Sequence, residues 1–151
     1  MTTRVTDVPD LVQLWLYKNL FLGGQPGDRA WDSIKAKNIV AVINLRAPSE
    51  ADFEKDKQRA EGIGIQYHQI PLLLDGKISK EAAKEISDIV SGHGSEEKIL
   101  IHCGSANRVA GWLIVHLAKS GMDFNEAVEI AKLSGLSNPA FIEQAETIIK
   151  G

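Results

Sequence analysis

The sequence predicts an α/β fold in which a four-stranded, mainly parallel sheet is flanked by helices. Short apolar segments rich in β-branched residues alternate with longer amphipathic segments along the chain. Strands that alternate with helices form right-handed βαβ units, whose parallel strands are covered on both faces. The chain has 151 residues, enough for one domain with a proper hydrophobic core, and we assign residues 1–151 to a single domain.

The predicted elements follow one another in a regular order. Four apolar segments are predicted strands: 19–24, 39–45, 65–72 and 98–103. Helices are predicted over 26–38, with Pro26 near the start, and over 49–62, with Ser49 as N-cap and Gly62 at the end. A third helix is predicted over 79–92, and three more at about 106–120, 124–134 and 139–149.

Composition excludes several classes of function. The chain is 44% hydrophobic and 25% charged, as soluble globular proteins are, and its net charge of −3 argues against nucleic-acid binding. Polar residues interrupt the N-terminal apolar stretch, which predicts neither a signal peptide nor a membrane span, so we expect a cytoplasmic protein. Its one cysteine cannot form an intramolecular disulfide, and no cluster has metal-ligand spacing, so we expect no metal.

Polar and glycine residues follow the predicted strands where a ligand would bind. In an open parallel sheet, ligands bind beyond the carboxyl ends of the strands. Gln25 follows the first strand and Arg46 follows the second. Asp75 comes after the third, and Cys103 ends the fourth. The sequence therefore predicts that these residues lie along one rim of the sheet.

The segment "HCGSANR" (102–108) connects the last strand to a helix and has the composition of an oxyanion site. Its backbone N–H groups and the helix N-terminus should form a positive concave surface, and Arg108 adds a planar guanidinium that can bind two oxygens. This positive field should favour a thiolate at Cys103, a nucleophile able to attack phosphorus. The alternative is that Cys103 is a small core residue and Arg108 a surface charge.

Four motifs, "FLGGQP", "VINLR" with Glu50 just beyond it, "IPL" and "HCGSANR", together resemble the β-lactamase-hydrolase-like phosphatase family. That family is a branch of the cysteine-dependent, dual-specificity-like protein tyrosine phosphatases, with a short Cys-x4-Arg loop. The resemblance implies a dual-specificity-phosphatase-like fold and a phosphomonoester hydrolase without a cofactor. Its substrate would be a phosphorylated protein or a small phosphomonoester.

The resemblance also implies roles for individual residues. Cys103 would be the nucleophile that forms a phosphocysteine, Arg108 the phosphate clamp and Asp75 the general acid. His102 would support the loop and the thiolate. The substrate would be bound by the loop and a neighbouring arginine, namely by Gly104, Ser105, Ala106, Asn107, Arg108 and Arg46.

Several alternatives stay open at this stage. Asp75 precedes Gly76 and could simply form a turn, and Arg46 could contact the phosphate or pair with Glu50 four residues later. Ala106 stands where the resembled family often has glycine, and Val109 replaces the hydroxyl residue that follows the arginine in the wider superfamily. The alternative functions are a rhodanese-type sulfurtransferase, whose cysteine loop is equally short, and a non-catalytic phosphate-binding pseudophosphatase. The sequence predicts no particular oligomeric state.

Overall fold

A computed structural model describes residues 2–50 and 53–151, which form a mixed sheet covered by helices. The strands of the main sheet are β1 (Thr2–Arg4), β2 (Leu14–Tyr17), β3 (Leu20–Gly23), β4 (Ile39–Asn44), β5 (Gln66–Gln69) and β8 (Lys98–His102). They lie in the order β1-β2-β3-β8-β4-β5. The four strands from β3 to β5 run parallel, whereas β1 and β2 are antiparallel to their neighbours. A separate hairpin pairs β6 (Leu73–Leu74) with β7 (Lys77–Ile78).

The described helices follow the strands in the predicted order. They are α1 (Trp31–Ala36), α2 (Phe53–Gly62), α3 (Lys80–Gly92), α4 (Asn107–Lys119), α5 (Phe124–Leu133) and α6 (Ala140–Lys150), with 3-10 turns at Asp28–Ala30 and Pro48–Glu50. Ser79 caps α3, because its side chain accepts a hydrogen bond from the Ala82 amide at 3.2 Å. Ser49 lies within the second 3-10 turn, so its predicted N-cap role is wrong, and residues 51 and 52 lie outside the described residues.

The central strand β8 is buried on both faces, which explains its uninterrupted apolar sequence. Ile99 and Ile101 belong to the cluster that includes Trp112 of α4. Leu100, pointing the opposite way, belongs to a second cluster with Trp31 of α1. The two clusters fix β8 between helical layers, and this positions the loop that follows it.

The structure confirms the α/β class and the mainly parallel sheet, but the sheet has six described strands rather than four. The four predicted strands correspond to β3, β4, β5 and β8. The additional strands β1 and β2 come from the N-terminal 17 residues, where interrupted apolar runs gave no clear strand pattern. Within residues 2–50 and 53–151, no helix has the length and apolar character needed to cross a bilayer.

Candidate active site

The carboxyl ends of β3, β4 and β8 meet at one rim, as the sequence predicts. The amide of Cys103 donates a hydrogen bond to the Gly23 carbonyl at 3.1 Å. The amide of Gln25 donates to the Gly104 carbonyl at 3.3 Å. On the other side of β8, the Leu45 amide donates to the carbonyl of His102 at 2.8 Å. The start of the cysteine loop (residues 103–108) is therefore held by the segments that follow two neighbouring strands.

Gly24 allows the segment after β3 to approach the cysteine loop closely. It forms an isolated antiparallel bridge with Ser105. A Cβ atom at Gly24 would lie 2.9 Å from the carbonyl oxygen of Gly104, closer than real Cβ contacts allow. The glycine of "FLGGQP" is thus required by this backbone contact.

The cysteine loop exposes backbone groups suited to an oxyanion. Gly104 and Ser105 are exposed, and within the described residues their amide N–H groups donate to no hydrogen-bond acceptor. Ala106 has φ +75°, so an L-residue with a Cβ makes the left-handed turn that leads into α4. The first N–H groups of α4 begin at Asn107, directly after this turn. These features could together bind an anion at the helix N-terminus.

Arg108 is held end-on by Glu50, a contact that the sequence analysis did not predict. Its Nη1 and Nη2 atoms donate to Glu50 Oε2 and Oε1 at 2.8 and 2.7 Å. Glu50 Oε2 also accepts a bond from the Ala47 amide at 2.7 Å. The Arg108 guanidinium, assisted by the Ala47 amide, lowers the pKa of Glu50 from 4.5 to about 2, and the pKa of Arg108 is raised, first by Glu50 and also by Cys103. Arg108 therefore lies near both the carboxylate and the sulfur.

Arg46 reaches the rim and contacts Glu50 through its backbone rather than through the carboxylate that one of the two alternatives invoked. Its Nη2 donates to the backbone carbonyl of Glu50 at 3.0 Å, and its Nη1 donates to Gln25 Oε1 at 2.9 Å. Gln25 Nε2 in turn donates to Asp56 Oδ2 at 2.7 Å. Burial raises the pKa of Asp56, although its bond to Gln25 opposes this. Arg46 thus braces the turn that carries Glu50, and its charge adds to the positive field there.

The segment between α5 and α6 contacts the opposite side of the cysteine loop. Asn107 Oδ1 accepts hydrogen bonds from the amides of Ser137 and Asn138 at 2.8 and 3.0 Å, and its Nδ2 donates to Ser137 Oγ at 2.7 Å. The Asn107 side chain is therefore committed to this segment, so that its predicted substrate contact would have to come from its backbone amide. A Cβ at Gly135 would lie 3.2 Å from the Cβ of Ala106. The loop is thus packed on both sides.

Cys103 and His102 are both fully buried. Burial lowers the pKa of His102 to about 3, which the nearby Cys103 backbone only partly opposes, so the imidazole is neutral at pH 7. Neither of its ring nitrogens has a hydrogen-bond partner among the described residues. A neutral imidazole can support a thiolate as a dipole but not as a cation. The burial of Cys103 is the observation that most favours the non-catalytic alternative.

Asp75 lies in the turn of the β6–β7 hairpin, which follows Leu72, whose amide donates to the Leu45 carbonyl at 3.2 Å. Asp75 and Gly76 have φ values of +52° and +79°, as a two-residue type I′ turn requires. Asp75 is exposed, and the Ile78 amide at the end of the hairpin donates to Gln144 Oε1 at 2.9 Å. The turn interpretation is therefore correct for the backbone, and the general-acid role of Asp75 stays a prediction.

The contacts that sequence reasoning missed come from segments without regular patterns. Glu50 was singled out only as part of a motif and as a partner of Arg46. Ser137 and Asn138 gave no signal beyond a helix boundary. Within the described residues, no group of three or more His, Cys, Asp or Glu side chains is placed to hold a metal ion.

The fold is that of the dual-specificity-like phosphatases. No family model and no curated protein sequence matches the chain. Among solved structures, a DUF442 protein from Shewanella putrefaciens CN-32 matches with a TM-score of 0.70 and 16% identity, over 95% of this chain and 88% of the other. Tk-PTP in its active form matches with a TM-score of 0.74 and 21% identity, over 94% and 97%. The kinase-associated phosphatase, carrying serine in place of its catalytic-site cysteine, matches with 0.74 and 14%, over 87% and 85%.

These matches confirm the resemblance that the four motifs indicated, at the level of the fold. The DUF442 phosphatases correspond to the β-lactamase-hydrolase-like family, and the other two structures belong to the wider group of protein tyrosine and dual-specificity phosphatases. Since all three identities are below 25%, the chain shares their architecture, and its chemistry is argued from its own residues.

Proposed function

We propose that the protein is a cysteine-dependent phosphomonoester hydrolase that acts through a phosphocysteine intermediate. One observation carries the proposal: Cys103 ends β8, and Arg108 lies in the first turn of α4 with its guanidinium close to both Cys103 and Glu50. The exposed amides of Gly104 and Ser105 lie between them in the chain. The fold is shared with solved phosphatases, one of which, the kinase-associated phosphatase, has a catalytic-site cysteine.

The proposed reaction has two balanced steps. In the first, the Cys103 thiolate attacks phosphorus, an S–P bond forms, and the P–O bond to the leaving group breaks. The leaving oxygen takes a proton from Asp75, the predicted general acid. In the second step, Asp75 removes a proton from water, the water oxygen attacks phosphorus, and the S–P bond breaks to release inorganic phosphate and the thiolate. Loop amides and Arg108 would stabilise the negative charge on the phosphoryl oxygens in both steps.

Arg108 can bind a phosphoryl group without leaving Glu50. Glu50 occupies one N–H of Nη1 and one of Nη2. A guanidinium has five N–H donors, so three are left for the contact with Cys103 and for another oxyanion. Glu50 would therefore fix the orientation of the guanidinium while its other edge faces the phosphoryl oxygens. Because Cys103 has no exposed surface, substrate binding must also open the loop enough for phosphorus to reach the sulfur.

The proposed intermediate is tested by trapping. The protein is incubated with p-nitrophenyl phosphate, quenched in acid and digested, and the peptide containing Cys103 is examined by mass spectrometry. A phosphorylated Cys103 together with steady release of phosphate supports the proposal. Phosphate that adds to another residue, or hydrolysis that persists in Cys103→Ser, contradicts it.

The general-acid role of Asp75 is tested by comparing the hydrolysis of substrates with different leaving groups. Asp75→Asn should slow hydrolysis of phenyl phosphate, whose leaving oxygen needs a proton, much more than hydrolysis of p-nitrophenyl phosphate, whose leaving group is stable as an anion. Asp32→Asn, on an exposed helical position, is the matched control. Equal effects on the two substrates would show that Asp75 serves only as a turn residue.

The same preparation distinguishes the alternative functions. A rhodanese-type enzyme would transfer sulfur from thiosulfate to cyanide and form thiocyanate, whereas a phosphatase would not. A pseudophosphatase would bind vanadate or phosphate without any hydrolysis that depends on Cys103. The pseudophosphatase alternative rests on two features, the burial of Cys103 and the left-handed conformation of Ala106, and the binding measurement tests it.

A further inference from the structure

A second cavity lies between α3, α4 and α6, and none of the residues of the cysteine loop lines it. Its volume is about 410 Å³, within the size range of small-molecule sites. Apolar side chains from all three helices line it, together with hydroxyl groups and lysines. The lining residues are Lys80, Ala83, Lys84, Ser87, Asp88, Ser91, Val115, His116, Lys119, Ser120 and Ile148.

A histidine at this cavity is held in one orientation by two neighbours. The ring of His116 stacks on Trp112, with the ring centroids 4.7 Å apart, and its Nδ1 lies 2.9 Å from Ser87 Oγ. Trp112 Nε1 donates to the same Oγ atom at 3.2 Å. Because an indole can only donate, the Ser87 hydroxyl hydrogen is free to bond His116 Nδ1, and in the tautomer that accepts this bond the imidazole hydrogen lies on Nε2. Nε2 has no partner among the described residues and can donate to an occupant of the cavity.

The charge around the cavity is positive. Lys84 pairs with Asp88 at 2.7 Å, but Lys80 and Lys119 have no carboxylate partner within residues 2–50 and 53–151. Lys80 and Lys84 belong to the first two turns of α3, where the helix dipole is also positive. At the end of α4 the Ser120 amide and hydroxyl bond the last-turn carbonyls, which reduces the negative potential from that helix. An acidic group is therefore the complementary ligand.

We propose that this cavity binds a small organic anion with an aromatic or branched apolar body. Lys80 and Lys119 bind its acidic group, His116 Nε2 donates a hydrogen bond, and Val115 and Ile148 contact its apolar part.

The probe for this site is anilinonaphthalenesulfonate, which combines one acidic group with an aromatic body. Its uncharged analogue, N-phenylnaphthylamine, is the matched ligand control. Binding to the full chain is measured by fluorescence titration and located by methyl NMR. The test variant is Lys80→Met with Lys119→Met, which keeps most of each side chain but removes both charges. Lys132→Met, at an exposed position on α5, is the control variant.

We expect one equivalent of the probe to bind, with shifted methyl signals at Val115 and Ile148. The double variant should bind at least about tenfold more weakly, because it loses two charge-assisted contacts, whereas Lys132→Met should bind as the wild type does. Ser91→Phe, which fills the exposed mouth of the cavity and keeps both lysines, should also abolish binding while the protein stays folded.

Three results would overturn the proposal. The probe could bind the double variant as tightly as the wild type, or the uncharged analogue could bind as tightly as the sulfonate. Alternatively, the shifted methyl signals could come from Leu74 and Leu133, which are exposed elsewhere on the surface. None of these results depends on whether Cys103 is catalytic, so the site is tested independently of the proposed hydrolase.

Discussion

Replacing Glu50 with glutamine removes the charge that holds Arg108, with almost no change in shape. The pKa of Glu50 falls from 4.5 to about 2 on folding, and each unit corresponds to about 1.4 kcal/mol. That gives an upper limit of about 3.4 kcal/mol for the contribution of its charge to stability. The Glu50 side chain is 35% exposed, so solvent screening reduces this. We expect Glu50→Gln to lower the free energy of unfolding by about 1–2 kcal/mol at pH 7.

The same substitution should lower activity more than substrate binding. Glutamine can accept a hydrogen bond from one arm of the guanidinium, but its amide group cannot accept from the second. Arg108 would then lose its fixed orientation toward the phosphoryl oxygens, and misplacement of such a group reduces catalysis by about tenfold to a hundredfold. We expect kcat to fall by about this factor while KM changes little.

Steady-state hydrolysis of p-nitrophenyl phosphate and urea unfolding are measured on Glu50→Gln and on the matched control Glu61→Gln, an exposed position on α2. The control should behave as the wild type does. An unchanged kcat combined with tighter phosphate binding would show that Glu50 competes with the substrate for Arg108. That result would refute the orienting role.

The stability difference between wild type and Glu50→Gln should depend on pH. Because the folded-state pKa of Glu50 lies below its unfolded-state value, its stabilisation is complete above about pH 5 and is lost as pH falls toward about 2. Urea midpoints of the two proteins should therefore approach each other between about pH 5 and about pH 3. A difference that stays constant over this range would mean that the stabilisation does not come from the charge.

Three further substitutions test residues that pack against the cysteine loop or belong to it. Gly135→Ala places a Cβ 2.8 Å from the Trp15 ring at a residue with φ +100°. Urea unfolding should therefore show that the free energy of unfolding falls by about 2–3 kcal/mol. An unchanged midpoint would contradict the packing. Ala106→Gly relieves the backbone strain of a left-handed residue but loses a buried methyl group. The free energy of unfolding should therefore stay within about 1 kcal/mol of the wild-type value. A larger loss would count against strain at that position. In the proposed mechanism the Ser105 hydroxyl would take the place of the hydroxyl group that Val109 lacks, so Ser105→Ala should slow breakdown of the phosphoenzyme more than its formation. Equal losses in burst and turnover rates would disagree.

The sequence predicted the rim of the sheet well because the rim follows from topology. Once the strands are parallel, the residues after them must meet at one edge, and Gln25, Arg46 and Cys103 do so in the structure. Long amphipathic helices such as α3 were also predictable, since their burial pattern and their caps agree. Asp75 was predicted to join that rim; it lies in the turn of a hairpin that follows β5, and its general-acid role stays a prediction.

Contacts that depend on irregular segments were not predictable. The spacing of Arg46 and Glu50 left an ion pair between them as one of two alternatives, and residues 48–50 form a 3-10 turn. That turn presents the Glu50 backbone carbonyl to Arg46 and leaves the carboxylate for Arg108. The contact between Asn107 and residues 137–138 joins segments about 30 positions apart, which no local pattern specifies.

Hydrogen bonds and close packing, rather than ion pairs, hold the cysteine loop on both of its sides. Gly24 approaches it from β3, and Asn107 anchors it to the segment after α5. Once substrate binding has exposed Cys103, a loop held in this way can keep its amides directed at the oxyanion during the chemical steps, which is how electrostatic catalysis gains most of its effect. The bond between Arg108 and Glu50 is different, because it is ionic and partly exposed. The orientation of Arg108 is therefore the adjustable part of the site, and a change at Glu50 should alter the rate while leaving the loop intact.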